Sequence, residues 1–312
     1  MATVLLFAPR WLWGLPLCAL APVVLLRHQR LLWLFGLASV IVIGPIMGLC
    51  LPWRISFASK ATGPRLRVLT CNGDSRDLDP VRFGALLSEL QPSIVAMQDV
   101  WTPQVANFVE SDGWYVHVDD GLYLASRFPI RAVEPVDSDA FGPGLGRAVC
   151  YALETPTGIV HFFNLHLATP RWGLLAAIQG HSNGAAKLHD NSELRRRQST
   201  AISRKASSLP GPVLLAGDFN TPVESTIYRE CWSGYHNAFS VAGLGWGNTH
   251  LTRHTRVRID HILTSPDCRV RRCWVSPDVG SAHRPVIADL AWHRPAPPNH
   301  AQASRPRTVE RR

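Results

Sequence analysis

Five residues, Pro212-Val213-Leu214-Leu215-Ala216, run directly into Gly217-Asp218-Phe219-Asn220, and no other stretch restricts the fold of this chain as much. A short aliphatic run that stops at Gly-Asp reads as a buried strand presenting polar side chains at its C-terminal edge. Asp218 and Asn220 stand two apart, so on a strand they share one face. A carboxylate and a carboxamide so placed can hold a hard cation, a water or a phosphate oxygen. A plain turn after a core strand reads the same way, so the motif needs company.

The company is an ordered series of strands with polar tips. Leu66-Arg67-Val68-Leu69-Thr70-Cys71-Asn72 ends in an amide, and Ile94-Val95-Ala96-Met97-Gln98-Asp99 ends in an amide and a carboxylate. Val160-His161-Phe162-Phe163-Asn164-Leu165-His166-Leu167 carries Asn164 and His166 on one face. Arg258-Ile259-Asp260-His261-Ile262-Leu263 sets a carboxylate in an apolar run, and Ser281-Ala282-His283-Arg284-Pro285-Val286 precedes the closing strand. The helical pattern at 80–90, before the strand at Ile94, makes a β-α-β beginning, and Thr155-Pro156-Thr157-Gly158 closes a hairpin between 147–153 and 159–167. Residues 193–209 read as a basic helix with Leu194, Ile202 and Leu209 toward the core, and residues 170–192, with Trp172, read as a long connection. Alternating strands and helices with several hairpins argue for mixed α/β layers.

This ordered set resembles the endonuclease/exonuclease/phosphatase superfamily, which includes pancreatic-type deoxyribonucleases, abasic-site endonucleases, neutral sphingomyelinases and inositol-polyphosphate 5-phosphatases. The resemblance covers roughly residues 65–293. It implies a four-layer α/β/β/α sandwich of two mostly antiparallel sheets, with the polar strand tips meeting at one edge. It also implies a Mg²⁺- or Mn²⁺-dependent hydrolase acting on phosphate esters.

Such hydrolysis needs a cation on a phosphoryl oxygen, an activated water and help for the leaving group. Mg²⁺ prefers oxygen ligands and keeps several waters, so one or two carboxylates suffice. On the resemblance, Asp99 is the leading metal ligand and Asn72 its neighbour; Asp74 either joins them or is merely solvated. Asp218 is expected to position or deprotonate the attacking water, and Asn220 to donate to the phosphate. His283 is the acid/base, Asp260 orients its imidazole, and His166 stabilises charge on the phosphoryl oxygens. Arg147 either reaches phosphate or pairs on the surface, and Arg284 is structural.

Two positions depart from the superfamily pattern. Relatives usually carry Glu where this chain has Asp99, which retracts the carboxylate by roughly one methylene. They usually carry Asp where this chain has Ala282; losing such a group can cost roughly 10–100-fold in metal affinity or activity. These departures motivate an alternative reading, a catalytically weak module that binds a phosphorylated ligand or nucleic acid.

Ahead of this region, residues 1–53 carry only Arg10, Arg27 and Arg30 as charged side chains. Two apolar stretches, about 11–26 and 31–51, flank Arg27-His28-Gln29-Arg30. The second reaches the roughly 20 apolar residues that span a bilayer, and Trp33 and Trp53 stand at its ends, where indoles favour the interface. A membrane hairpin over 1–53 is therefore expected, with a signal peptide as the competing reading. Arginines flank both sides, so the membrane face of the hydrolase domain stays undecided; a bacterial inner membrane follows from the resemblance alone. Residues 54–64 form a linker, and residues 294–312 read as a disordered basic tail. The net charge of +9 favours polyanions or anionic headgroups, so nucleic acid, a phospholipid headgroup and a small phosphate ester all remain as substrates; no protein partner is implied. Seven cysteines without a CxxC pair support neither a zinc site nor a redox motif, and a Cys268–Cys273 disulfide stays open.

Overall fold

The computed structural model describes residues 2–52, 65–74, 78–100, 113–136, 139–142, 144–252 and 255–292. The expected linker at 54–64, the tail at 294–312 and Trp53 lie outside them.

Two six-stranded mixed sheets carry the fold. The first is built from β1 (Arg65–Asn72), β2 (Ile94–Gln98), β3 (Tyr115–Asp119), β4 (Leu122–Ser126), β13 (Cys268–Val275) and β14 (Val286–Trp292), in the order β13-β14-β1-β2-β4-β3. The second is built from β5 (Ile130–Pro135), β6 (Arg147–Thr155), β7 (Gly158–His166), β8 (Val213–Asp218), β9 (His236–Asn237) and β12 (Asp260–Thr264), in the order β5-β6-β7-β8-β12-β9. A short ribbon, β10 (His250–Leu251) with β11 (Arg256–Val257), lies apart. Each large sheet holds one parallel pair, β1 with β2 and β7 with β8, and its other pairings are antiparallel. Helical crossovers join both parallel pairs, as parallel strands require.

The layering follows from strands buried on both faces, which is why they read as continuous apolar runs rather than alternating ones. Val68, Ile94, Ala96 and Leu124 meet Val149, Tyr151, Phe162, Leu214 and Ile262 between the sheets. On the outer side of the first sheet, Leu69, Val95, Met97 and Ile287 pack on Phe83 of the helix Pro80–Leu90. On the outer side of the second, Phe163, Leu165, Leu215 and Leu263 pack on Ile202, Tyr228 and Trp232 of the helices Gly184–Ser208 and Thr226–Trp232. This is the expected four-layer sandwich. The helix Pro80–Leu90 starts where Asp79 accepts from the Val81 and Arg82 amides and Pro80 fills the first turn, a strong local start signal.

Residues 170–192 are not the long connection expected. They form the helix Arg171–Ile178 and the beginning of a 25-residue helix, Gly184–Ser208, of which 193–209 is only the later part. These two helices pack through backbone. A Cβ on Gly184 would lie 2.7 Å from Ala177, and one on Gly173 would lie 3.0 Å from Leu188. Glycines that permit such close approach look like loop residues in sequence. The Cys268–Cys273 disulfide does not form: both thiols are free and buried on β13.

Two N-terminal segments, Arg10–Arg27 and Gln29–Ile46, are long and apolar enough to cross a membrane, and almost none of either is buried. Length and composition serve membrane insertion and a signal sequence equally. The second segment ends in a π-helical turn, Val42–Ile46, around Pro45, whose ring and missing N–H disrupt regular α-helix. Both ends of the pair are fastened to the sandwich. The Arg10 guanidinium donates to Glu224 Oε1 at 2.7 Å and Oε2 at 2.5 Å. Cys50 exchanges backbone hydrogen bonds with Gly245 at 2.9 and 3.0 Å.

Candidate active site at the ends of the parallel strands

The carboxyl ends of the two parallel pairs bring the polar tips together. Asn72 ends β1 opposite Gln98, and His166 ends β7 opposite Asp218. Asp260 opens β12 directly across from Asp218. The edge outside such strand ends is where α/β sheets commonly hold ligands.

Asp218 is fixed by its surroundings. Gly217 has φ +146, and a Cβ there would sit 1.9 Å from the Leu165 carbonyl oxygen, so only glycine lets β8 approach β7 at this point. Beyond it the chain turns into the left-handed region at Asn220, φ 47, which asparagine tolerates. The Asn220 amide N–H donates to Asp218 Oδ1 at 2.8 Å, and the Asn72 side chain donates to Oδ2 at 3.0 Å. The Asn220 side-chain amide is committed to the Leu167 carbonyl at 2.8 Å and to Asp218 Oδ2 at 3.2 Å. Asn220, expected to donate to phosphate, therefore holds Asp218 and the end of β7 in this structure. Burial first, and then the Asp260 charge, raise the Asp218 carboxyl above its usual range, against the histidines and the Asn220 amide.

His283 Nδ1 lies 3.0 and 2.9 Å from the two Asp260 carboxylate oxygens. Burial works against the imidazolium, but the charge and hydrogen bond of Asp260, with help from Asp218 and Asp74, raise His283 to about 9. Burial likewise works against the Asp260 carboxylate; His283 and the Thr249 hydroxyl bring it below its usual value. The pair is thus an imidazolium–carboxylate pair at neutral pH. Thr249 Oγ1 also accepts the Ile259 and Asp260 amides, while Ser281 Oγ accepts the His283 amide and donates to the Asn72 carbonyl. His283 Nε2 stands 3.9 Å from Asp218 Oδ2, and His166 Nε2 stands 3.6 Å from the same oxygen. Both gaps exceed a hydrogen bond and are close enough for one oxygen of a water or a phosphate to bridge.

Asp74 and Asp99 sit on two turns that touch. Asp74 has φ 49, and its amide donates to Asn72 Oδ1 at 2.8 Å. Asp99 has φ 50, and a Cβ on the intervening Gly73 would meet Val100 at 2.4 Å and the Asp99 carbonyl at 3.3 Å. Neither carboxylate has an ion-pair or hydrogen-bond partner among the described residues. Asp218, Asp260 and His283 also offer ligand atoms within 4.8 Å of one another. Asp74 and Asp99 are not part of that group; carboxylate oxygens of either kind suit a hard divalent cation.

Several neighbours escaped the sequence. His250 pairs with His283 across an isolated bridge, with ring centroids 4.6 Å apart, and burial, then the His283 charge, hold it neutral down to about pH 4. A two-residue strand carries no readable alternation. Arg195, buried in the helix Gly184–Ser208, donates to the Ala168 carbonyl at 3.1 Å, and burial lowers it to about 10 against the Asp218 charge. Gln198 on the same helix accepts the Ala168 amide at 2.9 Å. Both secure the chain just after His166, though charged and amide residues in a helix read as a solvated face. Asn164 is fully buried. It accepts from Gln98 at 2.7 Å and donates to the Met97 and Tyr123 carbonyls, tying the two sheets together beneath the site. Arg147 takes the second of its two expected roles: it donates to Asp119 at 2.5 Å. Arg284 pairs with Asp278. The position expected to hold a further acid, Ala282, offers its carbonyl to the Leu251 amide.

Comparison with known proteins agrees with this architecture. The model of the endonuclease/exonuclease/phosphatase family matches residues 68–283, and the chain belongs to that family. It is accordingly a phosphate-ester hydrolase by family. Among solved structures, an endonuclease/exonuclease/phosphatase family protein from Bacteroides thetaiotaomicron is 18% identical, aligning over 74% of this chain and 99% of its own with a TM-score of 0.56. A mannosyl-6-phosphatase from the same organism is 18% identical, over 73% of this chain and 100% of its own, with a TM-score of 0.55. Truncated TDP2 from Caenorhabditis elegans is 16% identical, over 73% and 97%, also at 0.55. At these identities the likeness is one of fold. No curated protein matches the chain significantly by sequence.

Proposed function

We propose that the chain is a membrane-anchored, divalent-metal-dependent phosphoesterase, with residues 1–53 as the anchor and 65–293 as the catalytic domain. The observation that carries this reading is the His283–Asp260 pair beside Asp218, with His283 Nε2 3.9 Å from Asp218 Oδ2, so that both groups can touch the same bound phosphate ester. Water attacks phosphorus as its proton passes to the Asp218 carboxylate. The ester P–O bond breaks, and the leaving oxygen takes a proton from the His283 imidazolium, which Asp260 keeps charged and oriented. His166 lies beside the same Asp218 oxygen and stabilises the phosphoryl oxygens. Asn72 holds Asp218, and Asn220 sets its rotamer. Asp99, Asp74 and the Asn72 amide oxygen are the groups that would hold Mg²⁺ or Mn²⁺, which supplies Lewis-acid polarisation of the phosphoryl group when bound. Nucleic acid, a lipid headgroup and a sugar phosphate all suit this chemistry, and fold alone does not choose among them.

A second reading is favoured by Ala282 and Asp99: a tethered module that binds phosphorylated ligands without turning them over. The full chain, assayed against DNA, RNA, phospholipids, sugar phosphates and a chromogenic diester with Mg²⁺, Mn²⁺ or EDTA, separates the two. Metal-dependent turnover supports the phosphoesterase. Metal-dependent binding without turnover supports the module.

A further inference from the structure

The two fastenings of the N-terminal hairpin determine which face of the sandwich looks toward it. Arg10 precedes the first apolar segment and is held by Glu224; Cys50 follows the second and is held by Gly245. Gly48, at φ +80, leaves room for the first contact, since a Cβ there would lie 2.4 Å from the Arg10 guanidinium. Arg258 adds a contact to Cys50 Sγ at 3.3 Å. A hairpin places both its ends on one side of a bilayer, so both clamps lie at the same membrane surface. The clamped loops are those that carry the site: the chain from Asp218 and Asn220 reaches Glu224, and the chain from Gly245 reaches Thr249 and His250.

The loop at the second clamp is built in an unusual way for a water-facing loop. Gly243 and Gly247 fold it tightly over the buried Phe239 ring, where a Cβ on either would lie 2.6 or 2.4 Å away. Its two large apolar side chains are left outside: Leu244 is 72% exposed and Trp246 is 45% exposed. Leu51 follows Cys50, whose backbone is bonded to Gly245, and is also exposed. On the helix Arg171–Ile178, Trp172, Leu175 and Ile178 form a further exposed stripe at helical spacing, and Arg171 lies near enough to act on His250. Grouped exposed apolar side chains mark an interaction surface, and tryptophan prefers the headgroup layer of a bilayer.

We propose that Leu244 and Trp246 enter the headgroup layer of the membrane that holds the hairpin, and that the site consequently acts on a phosphate ester borne by a lipid headgroup. This rests on the phosphoesterase reading and names its substrate class. The hairpin sets the depth of the loop, and the loop sets the distance of His250 and His283 from the lipid phosphates.

The test uses the full chain in nanodiscs of phosphatidylcholine with phosphatidylglycerol, with bromine placed near the headgroup end of the acyl chains. Comparing wild type with Trp246→Phe isolates the Trp246 signal among the 11 tryptophans; the account expects that difference signal to be strongly quenched. In the same discs, hydrolysis of phosphatidylglycerol and of a soluble chromogenic diester is measured for wild type and for Leu244→Asp with Trp246→Asp. The lipid-to-soluble turnover ratio is expected to fall by roughly tenfold when two interfacial apolar anchors become charged. An unquenched difference signal, or an unchanged ratio, overturns the proposal. Soluble turnover without quenching would sink the docking surface and keep the phosphoesterase. Quenching without turnover of either ester would keep the docking surface and sink the phosphoesterase.

Discussion

Replacing Asp260 by Asn removes the charge that keeps His283 protonated and preserves side-chain shape. His283 is raised from 6.5 to about 9 in the folded protein. At pH 8 a group titrating at 9 is about 90% protonated, whereas one returned to 6.5 is about 3% protonated, a loss of roughly 30-fold in the acid form. Without Asp260, burial favours the neutral ring while Asp218 and Asp74 still favour the charged one, so the fall in kcat/KM at pH 8 is expected to be roughly 30-fold. The stability consequence has a definite sign. Because folded His283 holds its proton more tightly than an unfolded histidine, the stabilisation is complete below pH 6.5 and is lost as pH rises through about 9. The shift corresponds to about 3 kcal/mol, shared with Asp260 and counted once for the pair. The assay is the pH–rate profile of the full chain on a soluble diester, beside urea unfolding at pH 6 and pH 9.5. Wild type should show an alkaline limb near pH 9 and lose stability across this range. Asp260→Asn should move the limb below pH 7 and flatten the stability change. An alkaline limb that stays near 9 in the variant would refute the assignment of His283 and Asp260 as an acid pair.

His250 and His261 are both held down to about 4, so stability is full above pH 6.5 and should fall by a few kcal/mol between pH 6.5 and pH 4; Asn replacing either should reduce that slope in urea titrations. Gly217→Ala must push a Cβ into the Leu165 carbonyl, and a loss above about 4 kcal/mol, seen as insoluble or unfolded protein by circular dichroism, is expected. Arg10→Gln breaks the partly buried pair with Glu224 and should cost about 1–3 kcal/mol, visible as a lower Tm; kcat should fall more than KM rises, because Glu224 ends the loop that begins at Asp218. Gln98→Ala and Asn164→Ala each strand buried polar groups and should cost about 1–3 kcal/mol, with a double variant less harmful than the sum.

The sequence made the site-forming strands legible because β2, β8 and β12 are buried on both faces and carry a polar residue at the end that meets the site. Their order carries the family resemblance, and it is the resemblance that places Asn72, Asp218, Asp260, His166 and His283 at one edge. What stayed hidden follows from contacts that leave no periodic trace. The helices at 171–178 and 184–208 pack through Gly173 and Gly184, which read as loop residues. Arg195, Gln198, Gln98 and Asn164 are buried polar groups, legible only once their partners are known. His250 reaches His283 through a two-residue strand, and the clamps of Arg10 on Glu224 and Cys50 on Gly245 join positions about 200 residues apart. The sequence points Asn220 toward a phosphate, whereas its left-handed backbone turns its amide onto Asp218.

The central claim is that Asp218 activates water for attack on phosphorus. Hydrolysis of a phosphate diester by the full chain in ¹⁸O-labelled water, with Mn²⁺ and beside Asp218→Ala, tests it directly. The account predicts metal-dependent turnover with one label on the phosphate product, none on the released alcohol, and loss of turnover in the variant. Label on the alcohol, or equal turnover in Asp218→Ala, would contradict it.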